Sequence, residues 1–218
     1  MLSGLWVTLR ITFFALLIGI VIGVVVAIVR STYDKSAHTM SNGIGRFILS
    51  FFNFICKIYL TIIRGTPVVV QLLIFYFVVF VSIKSGVLIG IITFGINSGA
   101  YIAEIFRSGI MSIDSGQFEA GRSLGFNYIQ TMRFIVIPQA FKNILPTLMN
   151  EFIVLLKETA VVGYIAVQDL TKAGDIIRGR TFDAFMPLVA VAIVYLSLVL
   201  FFTWLVGKLE RWLRSNER

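Results

Sequence analysis

The sequence predicts an all-α, polytopic membrane protein with about five transmembrane helices. Of its 218 residues, 58% are hydrophobic and only 14% are charged, which leaves too little polar surface for a soluble domain. The run from Ile11 to Val29 holds no charged side chain over 19 positions. At 1.5 Å per residue, such a helix crosses a hydrocarbon core of about 30 Å. These two observations place the chain in a membrane.

The first predicted crossing extends from Gly4 to Arg30. Its apolar run is longer than the core of a secretory signal, about 7 to 15 residues, and no cleavage site of small residues closes it. We therefore expect it to remain as a membrane anchor. Three later segments are predicted to make further crossings: Gly86 to Met111, about Tyr128 to Lys157, and Phe185 to Leu209.

The second segment, about Phe47 to Val81, is less regular than the others. Lys57 and Arg64 lie inside it, and Pro67 lacks a backbone donor. We expect it to begin as an amphipathic stretch, to be kinked near Gly65-Thr66-Pro67, and to cross once, through Val68 to Val81.

The basic residues predict an N-terminus outside the membrane and a cytoplasmic C-terminus. With that orientation most of them fall in cytoplasmic segments, as is typical of polytopic proteins. These are Arg30, Lys35, Arg46, Arg107, Arg122, Arg133, Lys208, Arg211, Arg214 and Arg218. The outer loop Glu158 to Asp183 balances its basic residues with acidic ones. No repeat or linker divides the chain, so we expect one transmembrane domain over residues 1–218.

Several kinds of chemistry are excluded by what the sequence lacks. The net charge of +8 suits cytoplasmic loops better than a nucleic-acid surface. The single Cys56 excludes an internal disulfide and a cysteine-rich metal site, and we expect no metal site at His38. No GxxxxGK[ST] phosphate loop, HExxH motif or GxSxG motif is present. We therefore expect a transport pathway rather than an enzyme, with no cofactor bound by this chain.

A polar segment at about residues 114–130 interrupts the apolar pattern between the third and fourth crossings. Asp114 with Gln117, and Asn127 with Gln130, have the spacing of helix caps, and Gly125 can end the first helix after Leu124. The segment thus predicts two short helices that meet at a glycine. The first is amphipathic, with Phe118, Gly121 and Leu124 on one side. Either it rests on the lipid surface or it docks into a partner.

Polar side chains at membrane depth need a reason, because a charge there costs about 2.5 to 3.5 kcal/mol on insertion scales. Asn97, Tyr101, Glu104 and Ser108 share one face of the third crossing, and Glu151 and Glu158 share one face of the fourth. One interpretation pairs Glu104 and Glu151 with cations such as Arg64 or Lys157. The other assigns a mid-membrane site for a zwitterion. The residues proposed for that site are Glu151, Asn97, Tyr101, Gln71, Asn150 and Glu104.

Pro138 and Pro146 fall in the fourth crossing. Each removes one backbone hydrogen bond, so we expect that helix to be kinked or hinged where it leaves the polar segment.

The pattern Glu119-Ala120-Gly121, Gly125 and Ile135-x-Ile137-Pro138 resembles the EAA loop of ABC importer permeases. It departs from that motif at Gly121, where the family has alanine, and at Ile137, where it has leucine. Further stretches look like the polar amino acid branch of the same family and extend the resemblance to nearly the whole chain. They include Gly4 to Leu9, Arg64 to Pro67, Asn97 to Ile105, Pro138 to Ala140, Asn150 to Ile153 and Leu155 to Thr159.

The resemblance implies a permease subunit in a prokaryotic cytoplasmic membrane. In that family the EAA loop forms coupling helices, which implies a docking role for Phe118, Glu119, Ala120, Gly121, Leu124 and Gly125. It implies two copies of an ATPase subunit that binds ATP and Mg, a second or homologous permease, and an extracytoplasmic amino-acid-binding protein. The rival hypothesis is an ion-gradient-driven carrier or channel that uses Glu104 and Glu151 as ion sites. Which amino acid is carried stays open between cationic and neutral polar ones.

Overall fold

The computed structural model describes residues 1–36 and 43–215, and within these ranges the protein is helical with no strand. His38 and Arg218 lie outside the described residues, as do the side chains of Lys35 and Arg214. The α-helices are α1 (Leu2–Ser36), α2 (Ile44–Gly65), α3 (Val68–Ile74), α4 (Gly86–Met111), α5 (Ser115–Ser123), α6 (Tyr128–Thr131), α7 (Ile137–Glu158), α8 (Leu170–Thr181) and α9 (Phe185–Ser215). Two π-helical turns, Phe75–Val79 and Met132–Val136, and a 3₁₀ helix, Thr159–Ile165, connect some of them.

Helices α1 and α4 form the centre of the protein and run parallel to each other. Ile18 lies against Gly95, and Ile22 against Gly99. Because the contacting positions rise together along both helices, the two helices point the same way. Glycines bring them close: a Cβ added at Gly23 would lie 2.8 Å from the Cβ of Ile102. A parallel pair also means that the chain between α1 and α4 must return across the same thickness.

That return is made by α2 and α3 together, which corrects the sequence interpretation. Helix α2 ends at Gly65, and the chain is extended at Thr66 and Pro67 before α3 begins. The seven residues of α3 and the five of the π turn that follows rise only about 18 Å, which is short of the hydrocarbon thickness of about 30 Å. The crossing predicted through Val68 to Val81 alone was therefore wrong. Proline breaks the helix because it can neither donate a hydrogen bond nor let Thr66 stay helical.

Helix α7 runs antiparallel to α4, and α9 returns beside α7. Gly109 of α4 lies against Ile144, near the start of α7, while Ser98 contacts Glu151 further along. The rings of Phe152 in α7 and Phe202 in α9 are 4.8 Å apart. Among the described residues, four helices are long and apolar enough to cross a membrane: α1, α2, α4 and α9. Helix α7 is not among them, because its charged residues lower its hydropathy. The number of crossings and the side of the membrane on which each terminus lies therefore stay predictions.

Candidate coupling segment and membrane site

The polar segment between α4 and α7 folds into the two short helices that the sequence predicts. Asp114 caps α5, since its Oδ1 accepts a hydrogen bond of 2.6 Å from the backbone N–H of Gly116. The partner expected for this cap was wrong, because Gln117 does not reach back to Asp114. Its Oε1 instead accepts a hydrogen bond of 3.1 Å from Nε2 of Gln139 in α7. The glutamine thus ties the short helix to the long one.

Gly125 ends α5 in the predicted way. Its φ of +79° lies in the left-handed region that favours glycine. The backbone N–H of Phe126 donates to the carbonyl of Gly121 at 3.0 Å, and that of Gly125 donates to Arg122 at 2.9 Å. These two bonds form a Schellman motif, which satisfies carbonyls at the helix end.

The next helix also begins as predicted. Asn127 Oδ1 accepts from the N–H of Gln130, and Gln130 Oε1 accepts from the N–H of Asn127, both at 2.9 Å. This capping box fixes the start of α6 immediately after the glycine. The joint between the two helices is therefore tightly specified, although it is short and lies at the surface.

The six residues assigned to coupling divide into an inner and an outer group. Phe118 is half-buried and packs against the cluster that includes Val136 and Ala140, and Gly121 is buried against the side chain of Thr131. The other four residues are exposed: Glu119, Ala120, Leu124 and Gly125. Placing Leu124 on the same side as Phe118 and Gly121 was wrong, because Leu124 is 70% exposed. The helix ends at Ser123, so Leu124 leaves the helical face.

Helix α7 starts irregularly, but it continues through its proline. The π turn Met132–Val136 directly precedes α7, and Pro138 lies in the first turn of α7, where no intrahelical donor is needed. Pro146 lies inside α7, and the helix is not interrupted there. The predicted irregularity therefore lies at the exit from the polar segment, and α7 stays helical past Pro146.

The residues predicted for one membrane site fall into three separate groups. In the first, Nδ2 of Asn97 donates to Oε1 of Gln71 at 3.0 Å. Gln71 also donates to the carbonyls of Ile63 and Thr66, at 2.8 and 3.0 Å. Asn97 is 2% exposed, and its Oδ1 has no hydrogen-bond partner. Gln71 thus closes the break between α2 and α3, which is a structural task that the sequence interpretation did not foresee.

The second group is a chain of charges near one end of α4. Glu104 is bonded to Arg107 of the same helix at 2.6 Å and lies 3.9 Å from Arg64 of α2. Arg107 also lies 3.5 Å from Asp34, near the end of α1. The guanidinium of Arg64 lies over the ring of Tyr101, 5.6 Å from its centroid. The pairing of Glu104 with Arg64, one of the two open interpretations, is thus present, but Arg107 is the nearer partner.

The third group lies where α7 meets α4. Glu151 is 9% exposed, and its Oε1 accepts a hydrogen bond of 2.9 Å from Oγ of Ser98. Its neighbour Asn150 is exposed, so it does not share that contact. Lys157, the cation suggested for Glu151, is also exposed. The carboxylate of Glu151 is therefore held by a hydroxyl rather than by an ion pair.

The family described as "Binding-protein-dependent transport system inner membrane component" matches residues 19–215. The chain belongs to this family. Two curated relatives extend the match to nearly full length. The putative glutamine transport system permease protein GlnP of Rickettsia typhi is 36% identical, with 96% of this chain and 91% of the relative covered. The arginine transport system permease protein ArtQ of Bacillus subtilis is 34% identical, with 99% and 93% covered.

Solved structures agree with the helical architecture of this permease. A crystal structure of an amino acid ABC transporter with histidines superimposes with a TM-score of 0.84 and 40% identity, covering 96% of this chain and 92% of that one. An inward-facing structure of the MetNI methionine ABC transporter gives a TM-score of 0.80 at 21% identity, covering 97% and 95%, and supports the fold alone. The protein is an amino acid ABC transporter permease, an inner-membrane component with several apolar helices.

At the opposite end of the permease from the polar segment, α8 is fastened to α1. Asp169 caps α8 and is fully buried, and its carboxylate accepts from the backbone N–H groups of Thr171 and Lys172 at 3.1 and 2.9 Å. The N–H of Leu170 donates to Oγ1 of Thr8 in α1 at 3.2 Å. Burial raises the pKa of Asp169, and the two backbone hydrogen bonds oppose that rise. This end of the protein is held by buried contacts.

The exposed side of α8 carries a small ion-pair network. Asp175 accepts a hydrogen bond of 2.9 Å from Lys172 and a second one from Arg178. The hydrogen bond from Lys172, followed by that from Arg178, lowers the pKa of Asp175. All three residues lie at the surface, where such pairs contribute little to stability.

Ser98 is a residue that the sequence interpretation missed, although a signal for the surrounding contact was present. Gly19 and Gly23 in α1 and Gly95 and Gly99 in α4 are each spaced by four, the spacing of closely packed membrane helices. That spacing could have predicted the α1–α4 contact. It would also have shown which face of α4 is left for α7.

Proposed function

We propose that this permease forms the translocation pathway of an ATP-driven importer for a cationic or neutral polar amino acid. Two copies of a separate ATPase subunit would bind ATP and Mg. A second permease copy or a homologous permease would complete the pathway in the lipid bilayer, and an extracytoplasmic amino-acid-binding protein would deliver the substrate. One observation carries the proposal. Helix α5, which is capped at both ends and exposed on its outer side, is joined through the short α6 to α7, the helix that holds Glu151.

The exposed side of α5 is the surface proposed for ATPase docking. Glu119, Ala120 and Leu124 contact little of the permease itself, so a partner can cover them without unfolding anything. The other side is tied to the fourth crossing through Phe118, Gly121 and the Gln117–Gln139 hydrogen bond of 3.1 Å. A push on the exposed side would therefore move α5, α6 and the start of α7 together.

The same movement can reach Glu151, the carboxylate proposed to bind the substrate. Helix α7 is continuous from Ile137 to Glu158, so Glu151 lies four turns from its start. Nucleotide binding would then bias a two-state packing of α7 against α4, with the Ser98–Glu151 contact at the joint. In such a coupling, α7 alone would transmit the movement into the membrane.

The substrate class is inferred from one carboxylate and from the relatives. Glu151 offers a negative charge to an ammonium or guanidinium group, and Asn97 Oδ1 is a buried acceptor without a partner. The relatives are described as glutamine and arginine permeases, and the solved structure as a transporter with histidines. Nitrogen-rich side chains, cationic or neutral, are common to these three.

The proposal is tested by reconstitution into vesicles with candidate ATPase and binding-protein partners. We expect uptake of an amino acid that requires ATP on the ATPase side, with ATP hydrolysis stimulated by the substrate. Glu119→Lys should lower the recovery of the ATPase with the permease and lower transport together, because it reverses a charge on the docking surface. Glu210→Lys makes the same charge change in α9 and serves as the matched control.

Two outcomes would contradict the proposal. Uptake by the permease alone in ATP-free vesicles, driven by a proton or sodium gradient, would favour the ion-coupled carrier. Normal ATPase recovery and transport in Glu119→Lys would remove the docking role of α5. Screening the amino acids for ATPase stimulation in the same vesicles would identify the substrate.

A further inference from the structure

A polar cavity of about 440 Å³ lies between α1, α2 and α4. Three cations and one carboxylate line it: Arg30 of α1, Lys57 and Arg64 of α2, and Glu104 of α4. Residues of α2 on the same helical face, such as Thr61, complete the wall. The cavity is distinct from the Ser98–Glu151 contact.

The cations of this cavity are only partly neutralised by the protein. Lys57 has no hydrogen bond or ion pair within residues 1–36 and 43–215, and Arg30 makes one hydrogen bond, of 3.2 Å to Asn53 Oδ1, while its Nε is buried without a partner. Arg64 reaches Glu104 only at 3.9 Å, and Glu104 is already bonded to Arg107 at 2.6 Å. Three positive charges therefore face one negative charge that is shared with a fourth cation. An excess of this kind, partly removed from water, favours a bound anion.

The depth of the cavity indicates the source of that anion. Arg30 directly follows the charge-free run from Ile11 to Val29, so it lies at the edge of the hydrocarbon core, on the side where α1 ends. Beside the cationic face of α2, three large apolar side chains are exposed: Phe54, Ile58 and Ile62. A phosphate at the cations and an acyl chain along these side chains would fit both surfaces.

We infer that this cavity binds the headgroup phosphate of an anionic phospholipid from the leaflet at the Arg30 end of α1. Basic pockets between transmembrane helices at the membrane edge are suited to such headgroups, because each cation near the surface adds to the attraction. The ammonium group of Lys57 would donate to the phosphate as a compact charge. The planar guanidinium of Arg64 would donate to it through two N–H groups. The lipid would fill the space between α2 and the rigid α1–α4 pair. This inference does not depend on the proposed coupling or on the substrate.

The test is a lipid titration of the full-length permease purified in detergent, read by native mass spectrometry. Phosphatidylglycerol is added against a background of phosphatidylcholine. We expect one retained phosphatidylglycerol per chain, weakened about fivefold by Lys57→Gln and restored by Lys57→Arg. Lys57 is exposed and has no partner to lose, so the variant should fold normally. Arg211→Gln removes an exposed positive charge from α9 and should leave retention unchanged.

Three results would overturn the inference. Equal retention in Lys57→Gln and the unchanged permease would mean that the cavity does not hold the lipid. Displacement of phosphatidylglycerol by soluble glycerol phosphate at a similar concentration would assign the site to a free phosphate. Displacement by arginine or glutamine would assign it to the transported amino acid. Because binding is measured without ATP or partners, failure here is separate from failure of the transport proposal.

Discussion

The α1–α4 pair and the segment from Asp114 to Val136 are held together in opposite ways. In the pair, glycines let two long helices interlock, and Ile11, Phe94 and Ile102 between them are fully buried. In the segment, few side chains are buried, and order comes from two helix caps and a glycine turn. The pair resists any change of distance, because helix backbones are in contact. The segment resists a change of shape, and it is tied to α7 through Phe118 and Gln117.

This difference suits the proposed coupling of the permease to an ATPase. We call the α1–α4 pair the frame and the segment from Asp114 to Val136 the lever. A frame of fixed spacing would give α7 a surface against which to shift. A preformed lever would transmit force to α7 without bending. Helix α7 continues from the segment, and it meets the pair where Ser98 of α4 donates to Glu151. Changes in the frame should therefore act mainly on stability, and changes in the lever mainly on transport.

The largest effect is expected from Gly23→Val in the frame. A Cβ at this position would lie 2.9 Å from the backbone nitrogen of Ala103, which cannot move without α4. Overpacking of a tight contact costs about 1 to 3 kcal/mol and more where backbone is the obstacle, so we expect a cost of about 3 kcal/mol and poor recovery of folded protein. Thermal unfolding in detergent, followed by fluorescence, checks it. Gly207→Ala, where a Cβ would meet nothing within 4 Å, is the control. An unchanged midpoint for Gly23→Val would mean that the α1–α4 contact is loose.

Local signals in the sequence predicted the lever better than they predicted the frame. The cap at Asp114, the turn at Gly125 and the box of Asn127 and Gln130 depend on residues a few positions apart, so their geometry could be predicted from spacing. The three-way division of the membrane site depends on which face of α4 meets α3, α2 and α7. A helical face brings Asn97 and Glu104 onto one stripe, but only the packing shows that they contact different helices.

An intermediate effect is expected from Glu151→Gln at the joint of frame and lever. The amide keeps an acceptor for Ser98, so packing should be preserved, while the negative charge offered to a cationic substrate is lost. Hydrogen bonds to charged groups contribute about 1.5 to 3 kcal/mol, so the apparent affinity for a cationic amino acid should fall at least about tenfold. Affinity for a neutral amino acid should change less. Uptake by vesicles at varied substrate concentration measures both, and equal losses for both substrates would show that Glu151 is structural.

The smallest effect on stability is expected from Gly125→Ala in the lever. Nothing lies within 4 Å of a Cβ at this position, so the whole penalty comes from the φ of +79°, about 1 kcal/mol for alanine. Gly125→Asn should recover part of it, because asparagine tolerates the left-handed region. Gly179→Ala, equally uncrowded but inside α8, is the control and should not destabilise the permease.

Two measurements on the same preparation, the midpoint of thermal unfolding and ATP-driven uptake, distinguish Gly125→Ala from Gly23→Val. The midpoint of thermal unfolding should fall only slightly, whereas ATP-driven uptake should fall several-fold, because alanine weakens the left-handed turn that sets the angle between α5 and α6. In Gly23→Val uptake should fall only as far as folded protein is lost. If Gly125→Ala loses uptake merely in proportion to its folded fraction, the segment is an ordinary connector, and the force must enter the membrane elsewhere.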